Sequence, residues 1–182
     1  MAVCEFDNGE DQFCDAPTGY RLCYRVHGHA RGEPILLIAG LGLQLTYWSP
    51  RLIDGLVERG FRVIIMDNRD VGRSSRAPHK PPSLWRQLTK RPGAQAYTLE
   101  DMAQDTKGLL DHLEVPRVHL VGMSMGGMIA QVLAARHPDQ AASLTSIFST
   151  TGAGNVGQPA GSTLLKLAKA PPRGREEAIG RY

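Results

Sequence analysis

Apolar and polar positions along the chain change period several times, and the changes mark out elements. In "GYRLCYRVHG" (19–28) the residues alternate, with Tyr20, Leu22, Tyr24 and Val26 on one face. Period two predicts a half-exposed strand. "PILLIAG" (34–40) is a continuous apolar run closed by glycine, and "FRVIIMDNR" (61–69) and "RVHLVGM" (117–123) begin in the same way. Such runs suit strands buried on both faces. Between the first two lies "WSPRLIDGLVERG", with Ser49 as N-cap, Pro50 at the first helical position and Gly60 as the stop. Its stripe of Leu52, Ile53, Leu56 and Val57 predicts an amphipathic helix.

A second helix is expected over 98–115, capped by Thr98 with Asp101 three residues on; Leu99, Met102, Leu109, Leu110 and Leu113 face inward. A third runs through "GGMIAQVLAARHP" and stops before Pro138, and "ASLTSIFST" (142–150) reads as a fourth strand. Residues 77–97 are rich in proline and basic residues and read as a long loop. Alternating buried strands and helices predict an α/β fold: a mostly parallel, twisted sheet with helices on both faces. Residues 1–150 form this core. Residues 151–182 break the rhythm, with only a short amphipathic piece around Leu164, Leu165 and Leu167.

Composition narrows the function classes. A net charge of +3 over 182 residues gives no argument for nucleic acid as a partner. The charges are uneven: Glu5, Asp7, Glu10, Asp11 and Asp15 crowd the first fifteen residues, and seven Arg or Lys with one Asp fall between 69 and 91. Two solvated segments are the simpler reading of both. Cys4, Cys14 and Cys23 are odd in number and lack metal-ligand spacing, which argues against a disulfide framework or a zinc site, and no cofactor motif is present. The longest apolar run, "ILLIAGLGLQL", is too short and glycine-broken for a membrane span. The acidic N-terminus has no signal-peptide pattern, so a cytoplasmic location is the default expectation.

The chemistry concentrates in "HLVGMSMGGMIAQV" (119–132), where Gly122-Met123-Ser124-Met125-Gly126 sits between a buried strand and a helix. G-x-S-x-G in that setting is a nucleophile elbow: the turn is so tight that flanking Cβ atoms would clash, and the serine is held out above the sheet. The competing reading is a glycine-rich turn with an incidental serine. A helix starting there aims its first N–H groups at the reaction centre, so the Met125 N–H is one candidate oxyanion donor. Ala39-Gly40-Leu41-Gly42, after the "LLIAG" strand, offers the Leu41 N–H as a second; otherwise it is a simple glycine turn.

Four ordered segments, "LLIAGLGLQLTYW", "DNRDVGRSS", "TLEDMAQDTKGLLDHLEV" and "VHLVGMSMGGMIAQVLAARHP", resemble the α/β-hydrolase fold family over residues 19–152. The resemblance is closest to small bacterial esterases and lipases of the aclacinomycin methylesterase type. It implies a nucleophile at Ser124 and oxyanion donors at Leu41 and Met125. Ala39-Gly40 stands where relatives often have His-Gly. In the D-x-R-G-x-G-x-S segment Asp70 replaces a glycine, and Asp67, Arg69 and Asp70 are expected to be structural.

A serine hydroxyl needs a base, and the base an orienting acid. The order expected in this fold is Ser, then Asp or Glu, then His. After Ser124 the one histidine is His137, thirteen residues on and roughly 20 Å away along the helix. Asp139, Glu176 and Glu177 follow no predicted strand. His27 and His29 are expected in a turn, His112 on a helix, His119 on a strand and His79 in the basic loop.

The expectation is therefore a hydrolase core without its last strands, with at least about 60 residues of strand–helix units absent and 151–182 the start of a cap or a tail. Its acid and base would lie outside the chain, and its edge strand would be open to self-association. The substrate expected is a small ester with an apolar group, from Leu41, Leu43, Tyr47, Trp48, Met123 and Met125. Cofactor-free haloperoxidases, C–C bond hydrolases and lactonases share such elbows. A non-enzymatic interaction module that has lost its triad is the third alternative.

Overall fold

The computed structural model describes residues 6–78, 96–153 and 157. Most of the basic loop with His79, the piece around Leu164, Cys4 and the carboxylates Glu176 and Glu177 lie outside the described residues. The strands are β1 (Phe6–Asn8), β2 (Gln12–Asp15), β3 (Arg21–His29), β4 (Glu33–Ile38), β5 (Phe61–Met66), β6 (Val118–Met123) and β7 (Ala141–Ile147). The helices are α1 (Pro50–Val57), α2 (Leu99–His112) and α3 (Met125–Arg136), with 3₁₀ turns at Leu45–Tyr47 and Pro138–Gln140. None of the described helices is long and apolar enough to cross a membrane.

One seven-stranded sheet runs β1-β3-β5-β4-β6-β7, with β2 also paired to β3. β5, β4, β6 and β7 are parallel: Ile35 pairs with Val63 and His119, and Leu120 with Leu144, with one bulge in the β6–β7 pairing between Val118 and His119. The continuous apolar runs are explained by this arrangement, since a central strand must supply two cores. Leu36, Ile38, Ile64, Met66 and Leu120 point to one, shared with Met102, Leu109 and Leu110 of α2 and Ile129 and Leu133 of α3. Ile35, Leu37, Val63 and Ile65 point to the other, which Ile53 of α1, Leu45 and Trp48 complete.

Helix α2 begins with a complete capping box. The Thr98 hydroxyl accepts from the Asp101 N–H, and the Asp101 carboxylate accepts from the Thr98 N–H. Ser49 precedes α1 in extended conformation, but its side chain makes no cap bond; Pro50 sets that start.

The structure departs from the sequence reading in three places. Residues 6–15 are not merely solvated: they form β1 and β2 along β3, and Asp11 accepts from both Arg25 and Arg73. These strands are too short to show a period. β3 is less exposed than its alternation suggests, because Cys23 on the off-face is fully buried under the second core. His27 and His29 lie within β3 rather than in a turn. β7 forms at the edge of the sheet, as expected, with Leu144 41% and the following Phe148 75% exposed.

Acid should weaken this fold through particular carboxylates. Hydrogen bonds from the Thr98 backbone and side chain hold Asp101 below its ordinary value of 3.8, and the Arg25 hydrogen bond and charge do the same for Asp11. Both groups release protons more readily when folded. Their stabilisation is full above the unfolded value and disappears as pH falls through the depressed folded one. Urea midpoints should therefore be flat near neutrality and drop below about pH 4. Asp101→Asn should be less stable at pH 7, by about 1 kcal/mol, and show a shallower acid decline.

Candidate active site

Because β4, β5, β6 and β7 are parallel, the loops that follow them gather along one edge of the sheet, where ligands bind in open α/β sheets. Three of these loops meet at Ser124. It stands between the last residue of β6 and the first of α3, at φ +50° and ψ −121°. That conformation is natural to glycine and costs another residue about 1–3 kcal/mol. Ser124 is nonetheless exposed, with core directly beneath it: Met123 and Gly126 are both buried.

Close approach of backbone to backbone explains the glycines around it. A Cβ on Gly126 would stand 2.1 Å from the Ile38 carbonyl oxygen at the end of β4. One on Gly122 would stand 2.3 Å from the Gly126 oxygen. Helix α3 can thus start directly against β4 only without side chains at these positions. Gly40 lies opposite the serine, where a Cβ would be 3.3 Å from Ser124 Cβ. Leu41, next in the chain, is 65% exposed. Met125 is the first residue of α3, so its N–H has no intrahelical acceptor. Neither the Met125 nor the Leu41 N–H makes a hydrogen bond to the described residues.

The loops are fixed from behind by a buried polar cluster. Asp67 accepts from the Leu45 N–H at 2.7 Å and the Arg73 N–H at 2.9 Å, tying the β4 loop to the β5 loop. Asn68 donates to the Ala39 carbonyl at 3.1 Å, just before Gly40. Arg69 is 4% exposed; it donates to Asp105 of α2 at 2.6 Å and lies over the rings of Tyr20 and Tyr97. Burial works against the Arg69 charge, but Asp105 more than offsets it and its pKa is raised. Asp70 occupies a left-handed conformation, φ +67°, the region that glycine adopts most readily. Its carboxylate accepts from the Ala77 N–H at 2.6 Å. Asp67, Arg69 and Asp70 thus hold structure, as the sequence suggested, and Asn68 joins them unforeseen.

No histidine ring among the described residues hydrogen bonds to Ser124. His137 follows the far end of α3, beside Gln104. His112 stands edge-on to Tyr24, and His119 contacts Ser143 and Glu33. A cleft of about 280 Å³ between α2 and α3 is lined by Glu100, Gln104, Arg136 and His137, at the end of α3 opposite Ser124. Of the apolar residues expected near the pocket, Trp48 and Met123 are plain core, while Leu41 and Tyr47 are exposed. Among the described residues no three His, Cys, Asp or Glu side chains gather as a metal site. Cys14 and Cys23 are free, and burial pushes both thiols up to about 11.

Residues 33–178 match the family model for the alpha/beta hydrolase fold. The chain belongs to the alpha/beta hydrolase fold family. Among curated relatives it is 40% identical over 126 residues to a protein of Variovorax paradoxus named as a carbamate hydrolase, RutD, covering 69% of this chain and 41% of that one. It is 35% identical over 118 residues to the rhodomycin D methylesterase DnrP of Streptomyces peucetius, covering 65% and 35%. Among solved structures, a hydrolase from Pseudomonas aeruginosa superposes with a TM-score of 0.69 at 29% identity, over 96% of this chain and 58% of that one. The chain spans about two fifths of the length of the curated relatives it matches.

The glycine contacts give a direct test. Gly126→Ala improves helix propensity by roughly 1 kcal/mol, yet its methyl meets backbone that cannot move aside. Collision should win, lowering urea stability by about 3 kcal/mol. Gly55→Ala in α1, whose methyl would meet only the end of Arg59 at 3.4 Å, should instead raise stability by about 0.5–1 kcal/mol.

Proposed function

We propose that this chain carries the nucleophile half of a serine hydrolase that cleaves carboxylic esters by acyl transfer. The observation that supports this most strongly is Ser124 itself: an exposed hydroxyl on a backbone at φ +50°, opposite Gly40. In this reading Ser124 Oγ attacks the ester carbonyl carbon and gives its proton to a base. The carbonyl oxygen becomes an oxyanion between the Leu41 and Met125 N–H groups. Collapse breaks the bond to the alcohol, which leaves with that proton, and water then hydrolyses the acyl-serine by the same route in reverse. No described histidine bonds to Ser124, so in this reading the base and its orienting acid lie outside the described residues. Exposed Leu41 and Tyr47 at the rim favour an apolar group on the substrate.

A second reading keeps the elbow and changes the reaction. One relative from Mycobacterium tuberculosis, 30% identical over 131 residues, is named as a non-heme bromoperoxidase, and an enol-lactonase from Burkholderia xenovorans superposes with a TM-score of 0.57 at 35% identity. Ester turnover measured beside halogenation and lactone opening separates these activities.

The nucleophile is testable in the chain as it stands. Imidazole in solution can replace an absent histidine base. A fluorophosphonate should label Ser124 slowly alone and at least about tenfold faster with imidazole, since a general base contributes about 10²–10⁴. Ser124→Ala should remove the label. No labelling of Ser124 with imidazole present would contradict the proposal.

A further inference from the structure

The peptide joining Ser124 to Met125 is a rigid plane with the Ser124 carbonyl on one side and the Met125 N–H on the other. Whatever holds the carbonyl therefore aims the N–H. Three donors reach that oxygen: the Gly127 N–H at 3.0 Å, the Met128 N–H at 3.3 Å and the Ser149 hydroxyl at 2.6 Å. The first two come with any helix that starts here. The third is the shortest and arrives from the segment after β7, 25 residues along the chain.

We propose that Ser149 is a positioning residue for the acyl-transfer reaction: its hydroxyl fixes the Ser124–Met125 peptide and polarises it, so that the Met125 N–H is aimed at the oxyanion. This deepens the nucleophile reading above and rests on it.

The surroundings of Ser149 are organised for this contact. A Cβ on Gly127 would stand 2.6 Å from Ser149 Cβ, so the segment lies directly on the first turn of α3. The Ser124 N–H donates to the Ile147 carbonyl at 3.0 Å. Ile147 and Ser149 thus grip the two sides of one residue, and Phe148 between them takes φ +36° to let both face it. A phenylalanine in that region is strained, a cost that a segment merely leaving the sheet need not bear. The Gln131 amide of α3 then braces the grip, donating to the Gly127 carbonyl at 3.1 Å and to Ser146 Oγ and the Thr150 carbonyl at 3.3 Å.

The chemical consequence falls on one step. A peptide whose carbonyl accepts a strong hydrogen bond is a better N–H donor. The gain grows as negative charge develops on the substrate oxygen, so it should appear in the bond-making step and not in binding. Removing a direct oxyanion donor costs about 10²–10³, and loss of an indirect one should cost less, about tenfold.

The test uses Ser149→Ala, Ser149→Cys and Ser149→Thr with a fluorophosphonate and imidazole. The maximal rate of inactivation should fall about tenfold in the alanine and cysteine variants, in keeping with a lost indirect donor, while the concentration for half-maximal rate stays unchanged. Threonine, which keeps the hydroxyl, should restore the rate. The Met125 amide proton, followed by NMR, should move upfield with alanine and cysteine and return with threonine. If the alanine variant does not fold, the nearly isosteric cysteine variant carries both comparisons. An unchanged maximal rate, or an unmoved Met125 resonance, in a folded variant would overturn the proposal. A shifted resonance in a chain whose Ser124 never labels would leave the Ser149 hold standing and bring down the nucleophile reading alone.

Discussion

Helix α3 begins within van der Waals reach of the end of β4, and that distance governs the rest of the molecule. At 2.1 Å from the Ile38 oxygen there is no room for even a methyl group on residue 126, and at 2.3 Å from the Gly126 oxygen none on residue 122. Between those two glycines the chain must reverse from strand to helix in a single residue. Ser124 absorbs that reversal at φ +50°. The conformation costs about 1–3 kcal/mol. Its hydrogen bonds to Ile147 and Ser149, at about 0.5–1.5 kcal/mol each, offset a comparable amount. The elbow is therefore supported by its neighbours, not by any preference of its own.

Two other loops are recruited to the same edge by buried polar groups. Asp67 and Asn68 hold the β4 loop so that Gly40 faces Ser124, and the Arg69–Asp105 pair locks the β5 loop to α2. Losing one partner of such a buried pair costs about 3–5 kcal/mol, whereas replacing both with apolar residues costs little. The arrangement is thus better explained by the geometry it imposes than by the stability it adds. It fixes the β4 and β5 loops relative to each other and to α2.

Much of this was legible in the sequence, for identifiable reasons. The buried strands announce themselves because each supplies two cores and so leaves no polar face, as with Leu36 and Leu37 on opposite sides of β4. The capping of α2 and the elbow are local patterns with local causes. What stayed hidden depends on residues far apart in the chain. β1 and β2 are held by pairing with β3 and by Asp11 reaching Arg25 and Arg73. Asn68 reaches back 29 residues to Ala39, and Ser149 reaches 25 to Ser124. A serine at a strand end carries no signal of such a bond. The exposure of Leu144 and Phe148, by contrast, follows from the open edge expected at 142–150.

The elbow and the β4 loop are proposed to form one oxyanion site around Ser124. A crystal structure of the chain after fluorophosphonate labelling in imidazole examines it most directly. The phosphonyl group should be on Ser124 Oγ, with its unsubstituted oxygen about 3 Å from both the Leu41 and Met125 nitrogens. A phosphonyl oxygen turned to solvent away from those two N–H groups, or an adduct on another side chain, would contradict it.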